Sequence, residues 1–559
     1  MAADTSATEA SAAQAGARAG AALRSGRTAL GIELGSTRIK ACLVDADDPA
    51  SVLAVGSHHW ENEFADRQWT YSLDAVWSGV QAAYADLLAD VERRHGARPQ
   101  TFAAIGVSAM MHGYLALDAD GELLVPFRTW RNTTTGAASA ELTALFGVNI
   151  PLRWSIAHLH QAVVDGEPHL ARLDSITTLA GYVHRRLTGR HVLGVGDASG
   201  MFPIDQATAT YDADLVARYD ALAATRAEIP PLAHLLPEVL VAGRPAGELT
   251  AEGATLLDPT GALRPGAPLC PPEGDAGTGM VATNSVAPRT GNVSAGTSIF
   301  AMVVLERPLE HVHHELDLVT TPAGDPVAMV HCNNGASELS AWASLFGRFA
   351  EAAGTPVAPD AVFDTLLREA LSGEADAGGL LAYNYLAGEP ITGLDEGRPL
   401  VVRTPDSRLT LGNFVRAQLY GVFGTLALGM RVLDGEGVAL DRMFAHGGLF
   451  RTAGVAQRFL AGALDAPVSV AQTASEGGAW GIAVLAAYLD HAAGGRDDGA
   501  ADGLGAYLQR DVFGGFVFDT TEPEPDDVAG FAAHLDRYRD GLAAERAAVA
   551  SIALKGAAR

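Results

Sequence analysis

Two short segments, one near the start of the chain and one near its middle, repeat the same pattern. Each has a glycine and two hydroxyl residues in a turn between apolar runs, over Gly31–Thr37 and again over Gly291–Ile299. Each opens a stretch in which apolar strand-like runs alternate with amphipathic ones, which is typical of α/β layers. A pattern that returns near mid-chain indicates a duplication. The sequence therefore predicts an α/β fold with two related halves, each beginning with the same hairpin.

The bulk composition fits a large folded protein. The 559 residues are too many for one ordinary core, and the 48% hydrophobic content is that of packed domains and not of disorder. The formal net charge of -27 repels phosphate backbones, which argues against nucleic acid as a partner. A single nucleotide can still bind such a protein if backbone donors, helix N-termini or a metal offset the field.

Cysteine usage and hydropathy bear on the compartment. The chain has three cysteines, Cys42, Cys270 and Cys332, with neither metal-type spacing nor enough members for a disulfide framework. It has no uninterrupted apolar run of about 18 residues, so no membrane span is predicted. We therefore expect a cytoplasmic protein without a membrane partner.

Composition along the chain predicts four regions. The first 27 residues are rich in Ala, Ser and Gly and lack the apolar stretch of a signal peptide, which indicates a disordered tail. Residues 490–530 are acidic with Gly and Pro clusters, so we expect a loosely ordered extension there. The predicted regions are a tail (1–27), an N-terminal domain (28–285), a C-terminal domain (286–489) and an acidic extension with a terminal helix (490–559).

The two hairpin turns are candidate phosphate loops. A glycine such as Gly35 lets the backbone approach a phosphate, and backbone N–H groups and hydroxyls can donate to its oxygens. One such turn is common in ordinary hairpins. Two at matching positions predict that one nucleotide is held from both halves. The residues concerned are Gly35, Ser36 and Thr37 in the first turn and Gly296, Thr297 and Ser298 in the second.

A third motif places a carboxylate on a tight turn before a predicted helix. It reads Glu273-Gly274-Asp275 and continues with further glycines. Phosphoryl transfer to an alcohol needs correct positioning and a group that takes the hydroxyl proton, and Asp275 suits that role. A helix N-cap aspartate would explain the same motif equally well.

Two glycines follow a predicted strand at Gly447-Gly448, where they open a flat slot for a planar base. The segment Glu476–Gly481 is a candidate for the other wall of that slot, although small residues in a helix more often serve close packing.

A last group lies after the predicted buried strand Thr101–Ser108. Met111 and His112 follow that strand directly, and Trp130 and Asn132 come later in the chain. In α/β folds ligands bind beyond the carboxyl ends of strands, and these side chains offer the polar groups and apolar faces that sugars require. Taken alone, His112 is better explained as a structural histidine.

Taken in order, these segments resemble the FGGY family of carbohydrate kinases, whose members include xylulokinase, ribulokinase, gluconokinase and glycerol kinase. The resemblance covers about residues 28–489. It rests on the two candidate phosphate loops and on Ser108–Gly113, Tyr182–Gly189, Asp197–Gly200, Gly274–Gly279, Tyr385–Pro390 and Gly447-Gly448.

The resemblance implies a fold and a reaction. The fold would be two ribonuclease-H-like domains of the actin, hexokinase and Hsp70 superfamily, with a cleft that closes on ATP and Mg²⁺. Asp275 would be the general base and, together with Glu33, would serve the metal. Small-molecule sugar and ATP would be the partners, and a homodimer is possible within the family. The sugar would contact Met111, His112, Trp130, Asn132 and Asp275, and the adenosine would contact Gly447 and Gly448.

Three departures from the family pattern bear on the substrate. Glu33 stands where the family usually has Asp, Ala109-Met110 replaces Gly-Gln, and Trp130-Arg131-Asn132-Thr133 replaces W-N-D-x-R. The last change removes an acidic sugar ligand, so we expect an atypical substrate.

The predicted reaction is therefore ATP-dependent phosphorylation of a sugar, with a ketopentose such as xylulose as the nearest match. A ribulokinase-like or other polyol or hexulose kinase remains open, as do an actin-like ATPase without a sugar substrate and a catalytically inactive binding protein.

Overall fold

The computed structural model describes residues 16–65, 67–471, 477–494 and 503–553. The chain forms two compact units. The first comprises Met1–Val286, Leu318–Pro326 and Ser475–Gly515, and the second comprises Ala287–Asp317, Val327–Ala474 and Phe516–Arg559.

Strands and helices alternate along the chain, as the sequence predicts. The strands are β1 (Thr28–Leu34), β2 (Arg38–Asp45), β3 (Asp48–His59), β4 (Glu63–Ala65), β5 (Gln68–Thr70), β6 (Ala104–Ala109), β7 (Leu115–Leu117), β8 (Ser175–Thr177), β9 (Val192–Gly194), β10 (Ile204–Asp205), β11 (Thr210–Tyr211), β12 (Glu238–Leu240), β13 (Glu273–Gly274), β14 (Thr290–Ala295), β15 (Ile299–Val304), β16 (Leu316–Thr320), β17 (Pro326–Cys332), β18 (Leu381–Tyr383), β19 (Leu400–Val402), β20 (Arg442–His446), β21 (Val468–Ala471) and β22 (Phe518–Thr521). The helices are α1 (which includes residues 16–25), α2 (Leu73–His95), α3 (Gly136–Phe146), α4 (Ser155–Asp165), α5 (Leu179–Thr188), α6 (Val195–Ala198), α7 (Ala213–Ala223), α8 (Leu232–Leu235), α9 (Ala251–Leu257), α10 (Asp275–Ala282), α11 (Ser337–Ala352), α12 (Pro359–Glu369), α13 (Leu411–Gly435), α14 (Val455–Leu464), α15 (Gly478–Ala493), α16 (Leu504–Tyr507) and α17 (Pro525–Ser551).

The two large sheets share one topology. In the first unit the strand order is β13-β6-β1-β2-β3, with antiparallel pairing along β1, β2 and β3 and parallel pairing of β1 with β6 and of β6 with β13. In the other large sheet, β21-β20-β14-β15-β17 repeats that order with the same directions. The predicted pair of related hairpin-led halves is confirmed.

The register of the first hairpin explains its exposed tip. Glu33 pairs with Lys40 and Leu34 with Ile39, which leaves residues 35–37 as the turn. Alternate side chains of β1 and β2 enter the core, where Ile32, Leu34 and Ile39 are buried. The apolar pattern therefore fixes which residues reach the tip.

Helix α15 packs directly on the first sheet. A Cβ atom at Gly31 would lie 2.3 Å from the carbonyl oxygen of Ala479, and one at Gly106 would lie 2.6 Å from a side-chain carbon of Ile482. Glycine at these strand positions therefore permits the close approach of the helix. The sequence placed residues up to 489 in the C-terminal domain, whereas α15 belongs to the first unit.

The prediction of a disordered tail over 1–27 is wrong for its second half. Residues 16–25 are helical, and Ala19, Ala22 and Leu23 are buried in the first unit. Arg18 also pairs with Asp45 at 3.0 Å. Alanine and leucine on one face of this helix cover the sheet, which the low-complexity composition concealed. Residues 1–15 lie outside the described part of the chain.

The prediction of a loosely ordered extension over 490–530 is also wrong where the structure describes it. Helix α16 buries Tyr507 in the first unit, and β22 pairs antiparallel with β21 in the second. Residues 495–502 lie outside the described part. The predicted terminal helix is present as α17. Among the described helices, none combines the length and apolar character needed to cross a membrane.

Candidate active site

Asp275 is the first residue of α10, immediately after β13. The N-cap position belongs to Gly274, which makes no side-chain capping bond, so Asp275 is not the N-cap aspartate that the motif alone allowed. Its Oδ1 accepts a hydrogen bond from the backbone N–H of Met111 at 3.0 Å. The carboxylate thus sits in the positive field of a helix N-terminus and is tied to the candidate sugar segment.

The surroundings of Asp275 change its acidity. The residue reaches solvent, but crowding by protein withdraws water from the carboxylate, and this desolvation raises its pKa. Backbone N–H donors and the positive charge of Arg153 act in the opposite direction without cancelling the effect. A carboxylate with a raised pKa is a stronger base than an ordinary aspartate.

Two buried carboxyl groups, those of Asp197 and Glu273, are neighbours of Asp275. Asp197 and Glu273 are almost fully buried, and Glu273 Oε2 accepts the backbone N–H of Asp197 at 2.9 Å. Thr178 Oγ1 donates to Asp197 Oδ2 at 2.6 Å, while Asp197 Oδ1 has no hydrogen-bond partner among the described residues. Burial raises the pKa of Asp197 to about 7, and the neighbouring charge of Asp275 adds to this. Burial and the charge of Asp197 hold the pKa of Glu273 well above its usual range. This cluster was not singled out from the sequence, although the D-A-S-G segment contains Asp197.

Met111 and His112 are held in place by glycines. A Cβ at Gly200 would lie 2.6 Å from His112 Nδ1 and 2.8 Å from Met111 Cε, and one at Gly274 would lie 2.8 Å from Met111 Cγ. His112 Nδ1 donates to the carbonyl oxygen of Gly200 at 3.2 Å, and His112 is buried with a left-handed φ of 69°. The structure therefore brings Met111 next to Asp275, and it gives His112 the hydrogen-bonded, buried environment of a structural histidine.

The side chain of Asn132, predicted to contact the sugar, is bonded to the protein backbone. The residue is buried, and its Oδ1 accepts the N–H of Trp69 at 2.8 Å. Its Nδ2 donates to the carbonyl oxygens of Trp69 at 2.8 Å and Thr129 at 3.1 Å. Both amide hydrogens thus donate to backbone carbonyls, and the side-chain amide bonds to Trp69 as the backbone of a neighbouring strand would. In this structure Asn132 therefore fixes the local backbone, and its contact with a sugar stays a prediction.

Arg131, between the two predicted residues, is the exposed charged group of this segment. Its guanidinium carbon lies 4.6 Å from the ring centroid of Trp69 and 5.7 Å from that of Trp130. Trp130 is half-buried and packs on the core of the first unit. Cation–π contacts of this kind hold an arginine in a defined place. An arginine where the family usually has asparagine was the sequence signal for this difference.

Two aromatic side chains hold the backbone of the first candidate phosphate loop through hydrogen bonds. Trp60 Nε1 donates to the carbonyl oxygen of Gly35, and Tyr71 donates its hydroxyl hydrogen to the carbonyl oxygen of Ser36, both at 2.7 Å. The two rings stack with centroids 4.2 Å apart. The carbonyls are thus turned toward the protein, whereas Ser36 and Thr37 are exposed.

Glu33 reaches the N-terminus of α15. Its Oε2 accepts the N–H of Ala479 at 3.2 Å, and a Cβ at Gly478 would lie 2.3 Å from Glu33 Oε1 and 2.9 Å from Thr278 Oγ1. Thr278 lies on α10 and donates to the carbonyl oxygen of Asp275 at 3.3 Å. Glu33 and the start of α10 therefore flank one small region of the first unit. A pair of carboxylates is a donor set that suits Mg²⁺, which usually keeps several water ligands.

The second unit contains a cavity of about 480 Å³. It brings together Gly296 and Thr297 of the second loop, Gly448 after β20, and Ser337 at the start of α11. A Cβ at Gly448 would meet no atom of the described residues within 4 Å, so the space beside this glycine is open in that part of the chain. The first turn of a helix carries N–H groups without intrahelical acceptors, which suits phosphate.

Gly447 and Ser298, two more residues of the predicted nucleotide site, are sequence neighbours of residues that line this cavity. Gly447 has a φ of 110°, and its Cβ would lie 2.3 Å from the carbonyl oxygen of Ala295, so only glycine fits. Ser298 accepts the N–H of Gly296 through its carbonyl at 2.9 Å and closes the loop. Sequence reasoning missed the start of α11 and the aromatic lining residue Phe363, because no local pattern links them to the glycines.

The proposed second wall of the adenosine slot has a different role. Glu476 lies outside the described residues. A Cβ at Gly481 would lie 2.1 Å from the carbonyl oxygen of Thr278 on α10, so this glycine serves close helix packing within the first unit. The geometry therefore favours close helix packing as the role of these small residues.

Comparison with known proteins agrees with the order of these motifs. The N-terminal domain of the FGGY family of carbohydrate kinases matches residues 28–261, and its C-terminal domain matches residues 291–489. No match was found among curated proteins.

Solved structures share the fold. A xylulose kinase from Rhodospirillum rubrum is 24% identical with a TM-score of 0.74, over 93% of this chain and 99% of that one. A gluconate kinase from Lactobacillus acidophilus is 17% identical with a TM-score of 0.73, over 94% and 98%. A glycerol kinase from Plasmodium falciparum, solved with ADP, is 13% identical with a TM-score of 0.70, over 94% and 99%.

Proposed function

The chain belongs to the FGGY family of carbohydrate kinases, and on this basis we propose that it transfers the γ-phosphate of ATP to a hydroxyl group of a sugar, with a ketopentose such as xylulose as the nearest match. The observation that carries the proposal is the Asp275 carboxylate, which stands at the N-terminus of α10 and accepts the N–H of Met111.

In the proposed reaction Asp275 acts as the general base. The sugar hydroxyl gives its proton to the carboxylate while its oxygen forms a bond to the γ-phosphorus. The bond from that phosphorus to the bridging oxygen breaks, and ADP leaves with the electron pair. Desolvation raises the pKa of Asp275, which favours acceptance of the proton.

The nucleotide would occupy the cavity of the second unit. Its volume of about 480 Å³ lies in the range of small-molecule sites. Thr297 and the first turn of α11 would donate to the phosphates, and the open side of Gly448 would admit the adenosine. Glu33 and Asp275 would hold Mg²⁺, which when bound neutralises charge on the transferring phosphates.

The residues proposed to bind the sugar depart from the family pattern. The segment Trp130-Arg131-Asn132 lacks the family's acidic ligand, and Asn132 is committed to the backbone of Trp69. The exposed positive charge of Arg131 favours a second candidate substrate class, sugar acids whose carboxylate it could pair with. A ribulokinase-like or other polyol or hexulose kinase also remains within the proposal.

A coupled ADP-release screen tests the proposed function. The panel comprises pentuloses, hexuloses, polyols and aldonates, each with ATP and Mg²⁺, and ATP alone is the background. We expect one class to stimulate ADP release well above that background. Equal release with and without every sugar would favour the actin-like ATPase, and no release at all would favour the inactive binding protein.

We further propose that the enzyme works in the cytoplasm. The chain has only three cysteines, far apart in sequence, and all three are buried, which suits a reducing compartment.

A further inference from the structure

Three metal-ligating side chains converge in the second unit, on residues to which the proposed reaction assigns no role. His311 and His313 lie in the loop between β15 and β16, and Glu436 follows the last residue of α13. His311 Nδ1 lies 2.9 Å and His313 Nε2 2.6 Å from Glu436 Oε1. One ligating atom from each of the three lies within 4.8 Å of the others. Among the described residues this is the one group of three or more His, Cys, Asp or Glu side chains so arranged.

The carboxylate is fixed independently of the histidines. Glu436 Oε2 accepts the backbone N–H of Glu310 at 2.8 Å, and Arg307 donates to the carbonyl oxygen of Glu436 at 3.1 Å. The Glu436 side chain is only 4% exposed, so the loop wraps around it. One oxygen of a preorganised carboxylate is therefore presented to the two imidazoles.

The histidines are accessible from solvent. The side chain of His311 is 75% exposed and that of His313 is 22% exposed. An ion can therefore reach the group without opening the fold. The loop sequence Glu310-His311-Val312-His313-His314-Glu315 carries further donors next to the pair, as short metal-binding tracts do.

The donor set selects the ion. Two imidazole nitrogens and one carboxylate oxygen suit Zn²⁺, whereas Mg²⁺ and Ca²⁺ prefer oxygen ligands alone. Ligand atoms at about 2.0–2.1 Å from zinc in a tetrahedron are about 3.3 Å apart. The present separations of 2.9 and 2.6 Å need to widen by less than 1 Å once the imidazoles exchange their N–H hydrogens for the ion.

We propose that His311, His313 and Glu436 bind one Zn²⁺ ion, which ties the β15–β16 loop to the C-terminal end of α13. Water completes the coordination, and the strongly negative net charge of the protein favours capture of a cation. The role is structural: the ion holds together two parts of the second unit that are far apart in sequence. The competing arrangement is a metal-free clasp in which both histidines simply donate to the carboxylate.

The test of this proposal is a calorimetric titration, in which zinc alone is added to the untagged, chelator-treated full chain. We expect about one zinc per chain and a rise in Tm on loading. Substitution of Co²⁺ should give the visible absorption bands of a four- or five-coordinate ion. Mg²⁺ should neither bind there nor compete.

Variants separate the site from adventitious binding. His311→Ala removes an exposed side chain, so the protein should fold normally and still bind zinc at least about tenfold more weakly, as should His313→Ala. His234→Ala is the matched control, because His234 is an exposed histidine that lies 3.2 Å from one carboxylate, that of Asp174, and belongs to no group of three ligating side chains among the described residues. No zinc binding by the wild type, or binding that neither loop variant weakens, would overturn the proposal in favour of the metal-free clasp.

Discussion

Gly200 has no side chain, and His112 and Met111 of the proposed sugar site pack into the space where one would stand. A methyl group there would lie 2.6 Å from His112 Nδ1 and 2.8 Å from Met111 Cε. We expect Gly200→Ala to push both residues away and to disturb the bond from Met111 to Asp275. Because small misplacements at a reacting centre are costly, kcat/KM for the sugar should fall about tenfold or more.

Steady-state kinetics with the sugar identified by the screen would measure this, with ATP affinity as an internal reference. Gly136→Ala is the control, since a Cβ at Gly136, the first residue of α3, meets no atom within 4 Å in the described part of the chain. If Gly200→Ala and Gly136→Ala gave the same sugar kinetics, the positioning role of Gly200 would be wrong.

Asp197 should make stability depend on pH. Burial raises its pKa from an ordinary value of 3.8 to about 7, so between these values the folded chain binds more protons than the unfolded chain. Its contribution to the free energy of unfolding is therefore largest below about pH 4 and declines until about pH 7. One pKa unit corresponds to about 1.4 kcal/mol, so the full effect is on the order of a few kcal/mol.

Asp197→Asn removes this titration, and the difference in stability between wild type and variant should shrink or reverse as the pH rises from 5 to 8. Urea unfolding at several pH values measures it. Asp120→Asn, at an exposed loop position, should follow the wild type throughout. A wild type and an Asp197→Asn variant with parallel pH profiles would contradict the prediction.

At the scale of elements, a buried ion-pair network attaches the C-terminal helix to the second unit. Asp527 of α17 pairs with Arg416 of α13 and with Arg458 of α14, and Asp527 and Arg416 are each only 3% exposed. We expect Asp527→Asn to destabilise the protein by on the order of 3 kcal/mol, because it removes the negative charge that compensates the buried guanidinium of Arg416.

The measurement is the urea midpoint of the second unit's unfolding, followed by a tryptophan or circular-dichroism signal. Asp526→Asn changes the exposed neighbour on the same helix and should shift the midpoint little. Equal midpoints for the two variants would show that α17 does not depend on this network.

The elements that sequence predicted and those that it missed differ in the range of their contacts. The hairpins, α2 and α13 follow from local periodicity and a local cap, such as Ser72 Oγ accepting the N–H of Ala75. Strand β22 exists because its backbone pairs with β21, about 50 residues earlier, and Gln457 bonds the carbonyl of Asp519. No pattern within the acidic segment itself contains that information.

The same distinction applies to the site. Motif order located Asp275 and the glycines that meet at the cavity, because those roles depend on backbone turns. It did not predict the hydrogen bonds of Asn132, since the direction of a side chain depends on its partner, here the backbone of Trp69. It also missed Ser337, which reaches the cavity through the position of α11.

For the whole molecule, the repeated sheet order explains how one chain supplies two kinds of site. The first unit presents carboxylates at the carboxyl ends of β1 and β13. The second presents glycines after β14, the counterpart of β1, and after β20, the counterpart of β6, and it adds the N-terminus of α11. Sites at the carboxyl ends of strands are general in α/β folds. Under the proposed function, one duplicated framework would bind a sugar in one unit and a nucleotide in the other.

The central claim is that Asp275 is the base of a sugar kinase whose nucleotide site is built from other residues. Its most direct test compares wild type with Asp275→Asn, an isosteric change that cannot accept the proton, and with Asp120→Asn as a control. ATP affinity by calorimetry and sugar-dependent ADP release are measured on the same preparations. We predict unchanged affinity for ATP measured without Mg²⁺, because in the proposal Asp275 meets the nucleotide only through the metal, and a loss of sugar phosphorylation of at least about a hundredfold in Asp275→Asn alone. Sugar phosphorylation at close to the wild-type rate in Asp275→Asn would contradict the account.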